Sequence, residues 1–314
     1  MIIGGAEDKL KRRTLLKEFV GAAGGSGAKI AVIPTASSLG AAVQEVYDAV
    51  FTRLGAGAVV PVRPESRADA HDPGLVAAID GATGVFMTGG NQLKLSSIIC
   101  GTPVGDAILA AHERGAVIAG TSAGASIQSS HMVAFGGPGT TPKQRMTQVA
   151  AGLGLVDSVV IDQHFDQRNR YGRLLMIVAQ SPQLLGIGVD EDTGAIVTVE
   201  DGDEILRVSG RGAVTILDPQ HIVTNAYEAK RSSPLLASGV ILHVLPAGSA
   251  YNLTRRSLIP QPSLVDVEDA AELAEAQRDM RQMARDIAAA DKSPQALRRR
   301  LARKKAPAPG EVDL

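Results

Sequence analysis

The segment Gly120-Thr121-Ser122-Ala123-Gly124 places a serine among small residues directly after the apolar run Ala116-Val117-Ile118-Ala119. A serine on a sharp strand-to-helix turn is pushed outward, and glycines are needed where strand and helix nearly touch. Ser122 is therefore a candidate nucleophile. The amide of Ala123, at a helix N-terminus, can meet the oxyanion that forms when a hydroxyl attacks a carbonyl. A second glycine turn, Thr88-Gly89-Gly90-Asn91-Gln92, follows another apolar run, Gly84 to Met87. Successive glycines at a strand end present backbone amides to an anion. Gly90 and Asn91 are candidates for the second oxyanion donor, and Gln92 for a substrate contact.

A nucleophilic serine requires a base. Of the six histidines, His164 alone follows an apolar strand and sits at its carboxyl end, in Val159-Val160-Ile161-Asp162-Gln163-His164-Phe165; His71, His112, His131, His221 and His243 fall elsewhere. The base in turn needs a carboxylate to fix its tautomer. Asp190-Glu191-Asp192 closes the next apolar run, so Glu191 is the first choice and Asp190 the second, strand register deciding between them. The chain order Ser, His, acid differs from that of α/β-hydrolases and of chymotrypsin, so the assignment rests on roles.

These groups need a common edge to converge. Short apolar runs at Lys29 to Pro34, Ala58 to Val62, Gly84 to Thr88, Ala116 to Ala119, Val159 to Asp162 and Leu185 to Val189 lack period-2 alternation, as strands buried on both faces do. Between them Asp8 to Val20, Ser38 to Leu54, Pro73 to Ile79, Gly105 to Arg114 and Arg168 to Gln180 read as helices, with Ser37 or Ser38 as an N-cap. The expected fold is α/β: a doubly wound, mostly parallel sheet carrying Ser122, Gly90 and His164 on one edge. After Gly194 the runs Ile196 to Val199, Glu204 to Val208, Ala213 to Leu217 and Val240 to Leu245, divided by turn residues, read as an antiparallel extension.

Residues 1–260 are read as this one domain and 261–314 as a charged helical tail. Leu273, Met280, Met283 and Ile287 make a heptad-like stripe, Ser293-Pro294 opens a basic helix, and the Pro307 to Gly310 end is expected to be disordered. With 32 basic and 33 acidic residues the formal charge is −1, so nothing favours nucleic acid or an anionic surface. The tail's arginines lack interleaved aromatics, which argues against nucleic acid there as well. No apolar run reaches the roughly 20 residues of a membrane span. A lone Cys100 and an N-terminus without a basic leader lead us to expect a cytoplasmic protein. No metal or organic cofactor is called for. The glycine-rich stretch Gly136 to Pro142, between nucleophile and base, is expected to be a mobile loop near the site.

Taken together, Gly4-Gly5-Ala6-Glu7-Asp8-Lys9, Thr88 to Gln92, Gly120 to Ala125, Asp162 to Phe165, Arg168 with Arg170 and Arg173, and Asp190 to Thr193 occur in order. This series, over about residues 3 to 255, resembles the cyanophycinases, serine-type exopeptidases related to the aspartyl dipeptidases (peptidase E) and built on a sheet like that of class I glutamine amidotransferases. The resemblance implies Ser122 as nucleophile, His164 as general acid and base, and Glu191 as its partner. It implies a homodimer, and a pocket lined by Gln92, Asp162, Gln163, Arg168, Arg170 and Arg173. The substrate it implies is cyanophycin, a polyaspartate whose β-carboxyls carry arginine, cut to β-Asp-Arg dipeptides. Such a unit has carboxylates and a guanidinium, so its pocket should hold both signs of charge. The arginine trio suits the first. Glu7, Asp8, Asp162 and Asp190 are candidates for the second. The readings that compete are an aspartyl dipeptidase acting on short peptides and a catalytically silent binding module.

Overall fold

The computed structural model describes residues 1–260, together with 275, 277–283 and 285. Strands β1 (Ile2–Ile3), β2 (Lys29–Ile33), β3 (Ala58–Pro61), β4 (Gly84–Met87) and β5 (Val117–Thr121) alternate with helices α1 (Thr14–Ala22), α2 (Gly40–Arg53), α3 (Pro73–Asp80), α4 (Gln92–Ile99) and α5 (Pro103–Glu113). The short α6 (Ala123–Ser126) follows. Next come the hairpin β6 (His131–Gly136) and β7 (Thr147–Ala151), then β8 (Val159–Gln163), α7 (Tyr171–Gln180) and β9 (Leu185–Val189). The remaining strands are β10 (Thr193–Glu200), β11 (Asp203–Gly210), β12 (Ala213–Asp218), the small pair β13 (Val223–Thr224) and β14 (Ala237–Ser238), β15 (Ile241–Pro246), β16 (Ala250–Asn252) and β17 (Ser257–Ile259).

The fold is α/β, as the apolar runs imply, but its strands divide between two main sheets. Nine strands run β17-β16-β11-β10-β1-β5-β4-β2-β3. The β1-β5-β4-β2-β3 half is parallel, and β10 joins the other side of β1 antiparallel. Four strands form the second sheet, β15-β12-β9-β8, in which β8 and β9 are parallel. Val159 to Asp162 and Leu185 to Val189 therefore do not extend the sheet that holds the serine. The place beside β5 is taken by Ile2 and Ile3, a strand too short to show a pattern.

Alternation explains the two covered faces. In β2, Ile30 and Val32 pack with Phe19, Phe51 and Phe86 under α1 and α2, while Ala31 and Ile33 face Leu95, Ile99 and Ile108 of α4 and α5. In the second sheet Ile161, Ile187 and Ile216 pack on Ala195, Leu206 and Val208 of the first sheet's antiparallel arm. Its other face meets Leu174, Ile177 and Val178 of α7 through Val160 and Leu217. One side of the site thus rests on a helix-covered parallel sheet, and the other on a sheet held between α7 and that arm.

Helix starts follow local chemistry. Asp72 and Thr102 cap α3 and α5 ahead of Pro73 and Pro103, and Asn91 caps α4 by accepting from the amides of Leu93 and Lys94. Asp8 does not open a helix as expected. Its carboxylate accepts from the amides of Leu10, Lys11, Arg12 and Arg13, closing a turn, and α1 begins at Thr14. Ser37 accepts from the amide of Leu39 at 3.0 Å, but the residue flanking α2 is Leu39, so neither expected serine is its N-cap. Arg168 likewise lies before the helix, in a turn where its amide meets the His164 carbonyl, and α7 begins at Tyr171.

Contacts group Met1–Pro260 as one unit and Gln261–Leu314 as another. In the second, the described residues are helical and exposed, Met280 and Met283 among them. Leu273, Ile287, the basic helix and the Pro307 to Gly310 end lie outside the described residues. Among the described residues no single helix is long and apolar enough to cross a membrane.

Candidate active site

The turn from β5 into α6 forces Ser122 to φ 52° and ψ −107°, a region costly for any side chain and typical of a reactive elbow. The flanking glycines are sterically required. A Cβ on Gly124 would stand 2.1 Å from the Met87 carbonyl oxygen, and one on Gly120 would stand 2.0 Å from the Gly124 carbonyl oxygen. The Ser122 amide donates to the Ile3 carbonyl at 3.0 Å, which ties the elbow to β1. Ala123 opens α6, where the first amides have no helical carbonyl to meet.

His164 reaches the elbow from the second sheet. Its backbone is left-handed (φ 47°), its amide donates to the Gly4 carbonyl at 2.8 Å, and its ring lies over Gly5. A Cβ on Gly5 would stand 2.3 Å from the ring carbon Cε1, so the Gly4-Gly5 pair lets β1 and the imidazole touch. His164 Nε2 is 3.0 Å from Ser122 Oγ, and Nδ1 is 2.6 Å from Glu191 Oε1. With Nδ1–H donating to the carboxylate, Nε2 is left to accept the serine proton. Burial holds the imidazole below the ordinary histidine range; the Glu191 hydrogen bond opposes this, and Arg168 and Arg170 reinforce it. The ring is neutral at pH 7 and fit to be a base.

Glu191 and Asp190 differ in their partners. Asp190 accepts from the amides of Asp166 and Ala213, joining two strand ends, whereas Glu191 alone contacts the ring. Glu191 is itself placed by its amide, which donates to Gln167 Oε1 at 2.9 Å.

Several expected substrate contacts are engaged within the protein. Asp162 is fully buried between Arg170 and Arg173. Arg173 directs Nε at 2.6 Å and Nη2 to Asp162, and Nη1 at 3.0 Å to the Gly136 carbonyl, and it is 3% exposed. Arg173 and Asp162 therefore hold each other rather than an incoming group, because a bidentate pair uses the donors and acceptors that a ligand would need. Arg170 donates through Nη1 to Asp162, and at 2.9 Å to Gln163 Oε1, which lies 3.4 Å from Ser122 Oγ. Burial lowers its pKa to about 10, which still leaves it charged at neutral pH. Arg168 is exposed beside the imidazole.

In the second glycine turn, the Asn91 amide donates to the Ala36 carbonyl at 2.9 Å. That corrects Asn91 as an oxyanion donor, since its proton is already bound and its side chain caps α4. Gly90 has φ 145°, and a Cβ on Gly89 would stand 3.3 Å from Ser122 Cβ. Gln92 donates Nε2 to the carbonyls of Val133 and Ala134, tying α4 to β6. The Gly136 to Pro142 stretch is likewise tied down, through Gly139 to the Asn169 carbonyl and from the Gly172 amide to the Gly139 carbonyl, both at 2.7 Å.

A cleft of about 250 Å³ opens beside Ser122, lined by Glu7, Lys9, Val43, Val46, Tyr47 and the serine itself. Lys9 and Tyr47 are missed when strand ends alone are searched. Lys9 closes the Gly4 to Lys9 motif, in which the sequence reading gives a role only to Glu7 and Asp8, and Tyr47, on α2, belongs to no motif. No group of three histidine, cysteine or acidic side chains able to hold a metal occurs among the described residues.

The chain is similar to known proteins over most of its length. Residues 1–206 match the model of Peptidase family S51. A cyanophycinase of Nostoc sp. is 41% identical over 263 residues, which is 83% of this chain and 87% of that one. A cyanophycinase of Geminocystis herdmanii is 37% identical over 268 residues, 85% and 97% of the two chains. A peptidase from an acI-B1 Actinobacterium shares the fold, with a TM-score of 0.55 at 22% identity over 77% of this chain and 95% of that one. The chain belongs to peptidase family S51, alongside these cyanophycinases.

Proposed function

We propose that this chain is a serine-type exopeptidase that hydrolyses cyanophycin to β-Asp-Arg dipeptides through an acyl-enzyme on Ser122. The observation that carries the reading is the unbroken relay from Ser122 Oγ through His164 to Glu191, at 3.0 and 2.6 Å. His164 Nε2 takes the serine proton as Oγ bonds to the scissile aspartyl carbonyl, and the resulting oxyanion meets the amides of Ala123 and of the Gly89-Gly90 turn. The same proton passes to the leaving amine as the C–N bond breaks. Water then gives a proton to Nε2 and attacks the ester, and Ser122 is restored when that proton returns to Oγ. Glu191 holds the tautomer throughout and stabilises the transient imidazolium. Arg168 and the remaining donors of Arg170 are the groups of the arginine trio available to substrate.

Residence in the cytoplasm and a homodimeric state belong to the same proposal; the single cysteine supports the first, and likeness to the cyanophycinases supports the second. Purified protein incubated with insoluble cyanophycin granules should release β-Asp-Arg, identified by mass spectrometry. Release of aspartate from short aspartyl peptides with granules untouched would instead make it an aspartyl dipeptidase, and inertness toward both would leave only a binding role.

A further inference from the structure

We propose that Lys9 is a specificity-determining residue that binds a free carboxylate of the substrate in the cleft beside Ser122. The proposal rests on the peptidase reading above and adds what that reading lacks, a carboxylate-binding group on the elbow side of the site. Arg173 is consumed by Asp162 and the Gly136 carbonyl, Arg170 is largely engaged with Asp162 and Gln163, and Arg168 is exposed by the imidazole.

Lys9 is held as a binding group should be. Its Nζ is 2.7 Å from Glu7 Oε1 and 5.2 Å from the centre of the Tyr47 ring, and it remains 30% exposed. Its further contact to the Glu7 carbonyl is long, at 3.5 Å, so an ammonium with three protons keeps donor capacity toward the cleft. The supporting groups are rigid. Glu7 is 4% exposed and accepts from the Thr121 hydroxyl at 2.5 Å and from the Tyr47 hydroxyl. Tyr47 is packed on Phe51 and Phe86, with ring centres at 5.7 and 4.8 Å. The chain just after Lys9 is fixed by the Asp8 carboxylate, and the Asp8 amide is bound to Asp192 at 2.8 Å, one residue beyond the triad acid.

Glu7 itself is not a guanidinium site, because Thr121, Tyr47 and Lys9 already occupy its oxygens. The cleft therefore selects for carboxylate. A β-Asp-Arg polymer offers two kinds, the arginyl α-carboxylate and the α-carboxylate of the terminal aspartyl unit.

The test uses a two-unit β-Asp-Arg substrate as the free acid, with both arginyl carboxylates amidated, and with the terminal aspartyl carboxylate amidated. Wild type should lose about tenfold or more in kcat/KM on one amidated form, mostly through KM, and that form identifies the carboxylate. Lys9→Gln should cleave the acid and that amide equally, and Lys9→Arg should restore part of the preference. Calorimetric binding of β-Asp-Arg and its amides to wild type and Lys9→Gln reads the same preference without turnover. Failure of hydrolysis alone would therefore count against the parent reading, and failure of discrimination against this one. Lys9→Gln lowering all three substrates by one common factor, or a wild type indifferent to amidation in both assays, would overturn the proposal.

Discussion

The two halves of the active site are built by different physics. On the elbow side, backbone sterics hold the proposed nucleophile: Gly120 and Gly124 let β5, α6 and β4 approach where any side chain would collide, and Ser122 carries the strained φ. On the histidine side, side-chain charge does the holding. Asp162 lies between two guanidinium groups under the strand end that delivers His164, and Asp190 pins the loop carrying Glu191. The first kind of support tolerates changes of charge and fails on added volume. The second tolerates modest volume and fails on loss of charge.

Ser122→Ala tests the elbow side with the largest expected effect. Alanine keeps the Cβ and takes the same φ, so the fold should be unchanged by circular dichroism. Loss of the nucleophile should lower kcat by roughly 10⁶-fold, as when one member of a cooperating triad is removed. Activity equal to wild type would refute a serine mechanism outright. The histidine side should respond to Asp162→Ala in stability first. Two buried guanidinium groups would lose their carboxylate, a change that costs about 3–5 kcal/mol in such pairs. The denaturant midpoint should fall steeply at unchanged m-value. An unaltered midpoint would mean that packing, not charge, supports that half.

This division also marks what could be read in the sequence. The elbow was legible because its glycines and serine are contiguous, and the helix-covered parallel strands because they are unbroken apolar runs. Glu191 was legible only as one of two neighbours, since the roles of Asp190 and Glu191 depend on what lies across the strand ends. Three features were illegible for definite reasons. Strand β1 is two residues long, so no periodicity could reveal that Ile2 and Ile3 take the place beside β5 and that the histidine's strand belongs to another sheet. Arg173 looks the same in sequence whether it faces solvent, substrate or Asp162, and only the register of α7 on β8 decides. Tyr47 and Lys9 meet at Glu7 from distant segments, and spacing along a chain carries no trace of such a meeting.

A smaller effect sharpens the comparison from within the histidine side. Glu191→Gln keeps a hydrogen-bond acceptor but can present its amide to Nδ1 and set the wrong tautomer. Such a change costs about 10⁴-fold in kcat where the acid is buried, and a smaller loss is expected here because Glu191 is 36% exposed and water can partly take its place. Unchanged KM would confine the effect to the chemical step.

The smallest effect is also the most specific. Arg168 lowers the His164 pKa through space, after burial and against the pull of Glu191. Catalysis needs the neutral ring, so kcat/KM should rise with pH through that pKa and form the acid limb of the profile. Removing the Arg168 charge removes a lowering influence, so the folded-state pKa rises and the acid limb of Arg168→Gln moves toward higher pH. The height of the plateau reports any substrate contact made by Arg168, and the position of the limb reports the field alone. Because Arg168 is exposed, added salt should shrink the shift between variant and wild type. A limb that stays in place, or moves toward lower pH, would show that the imidazole is tuned by burial and Glu191 without a contribution from this arginine.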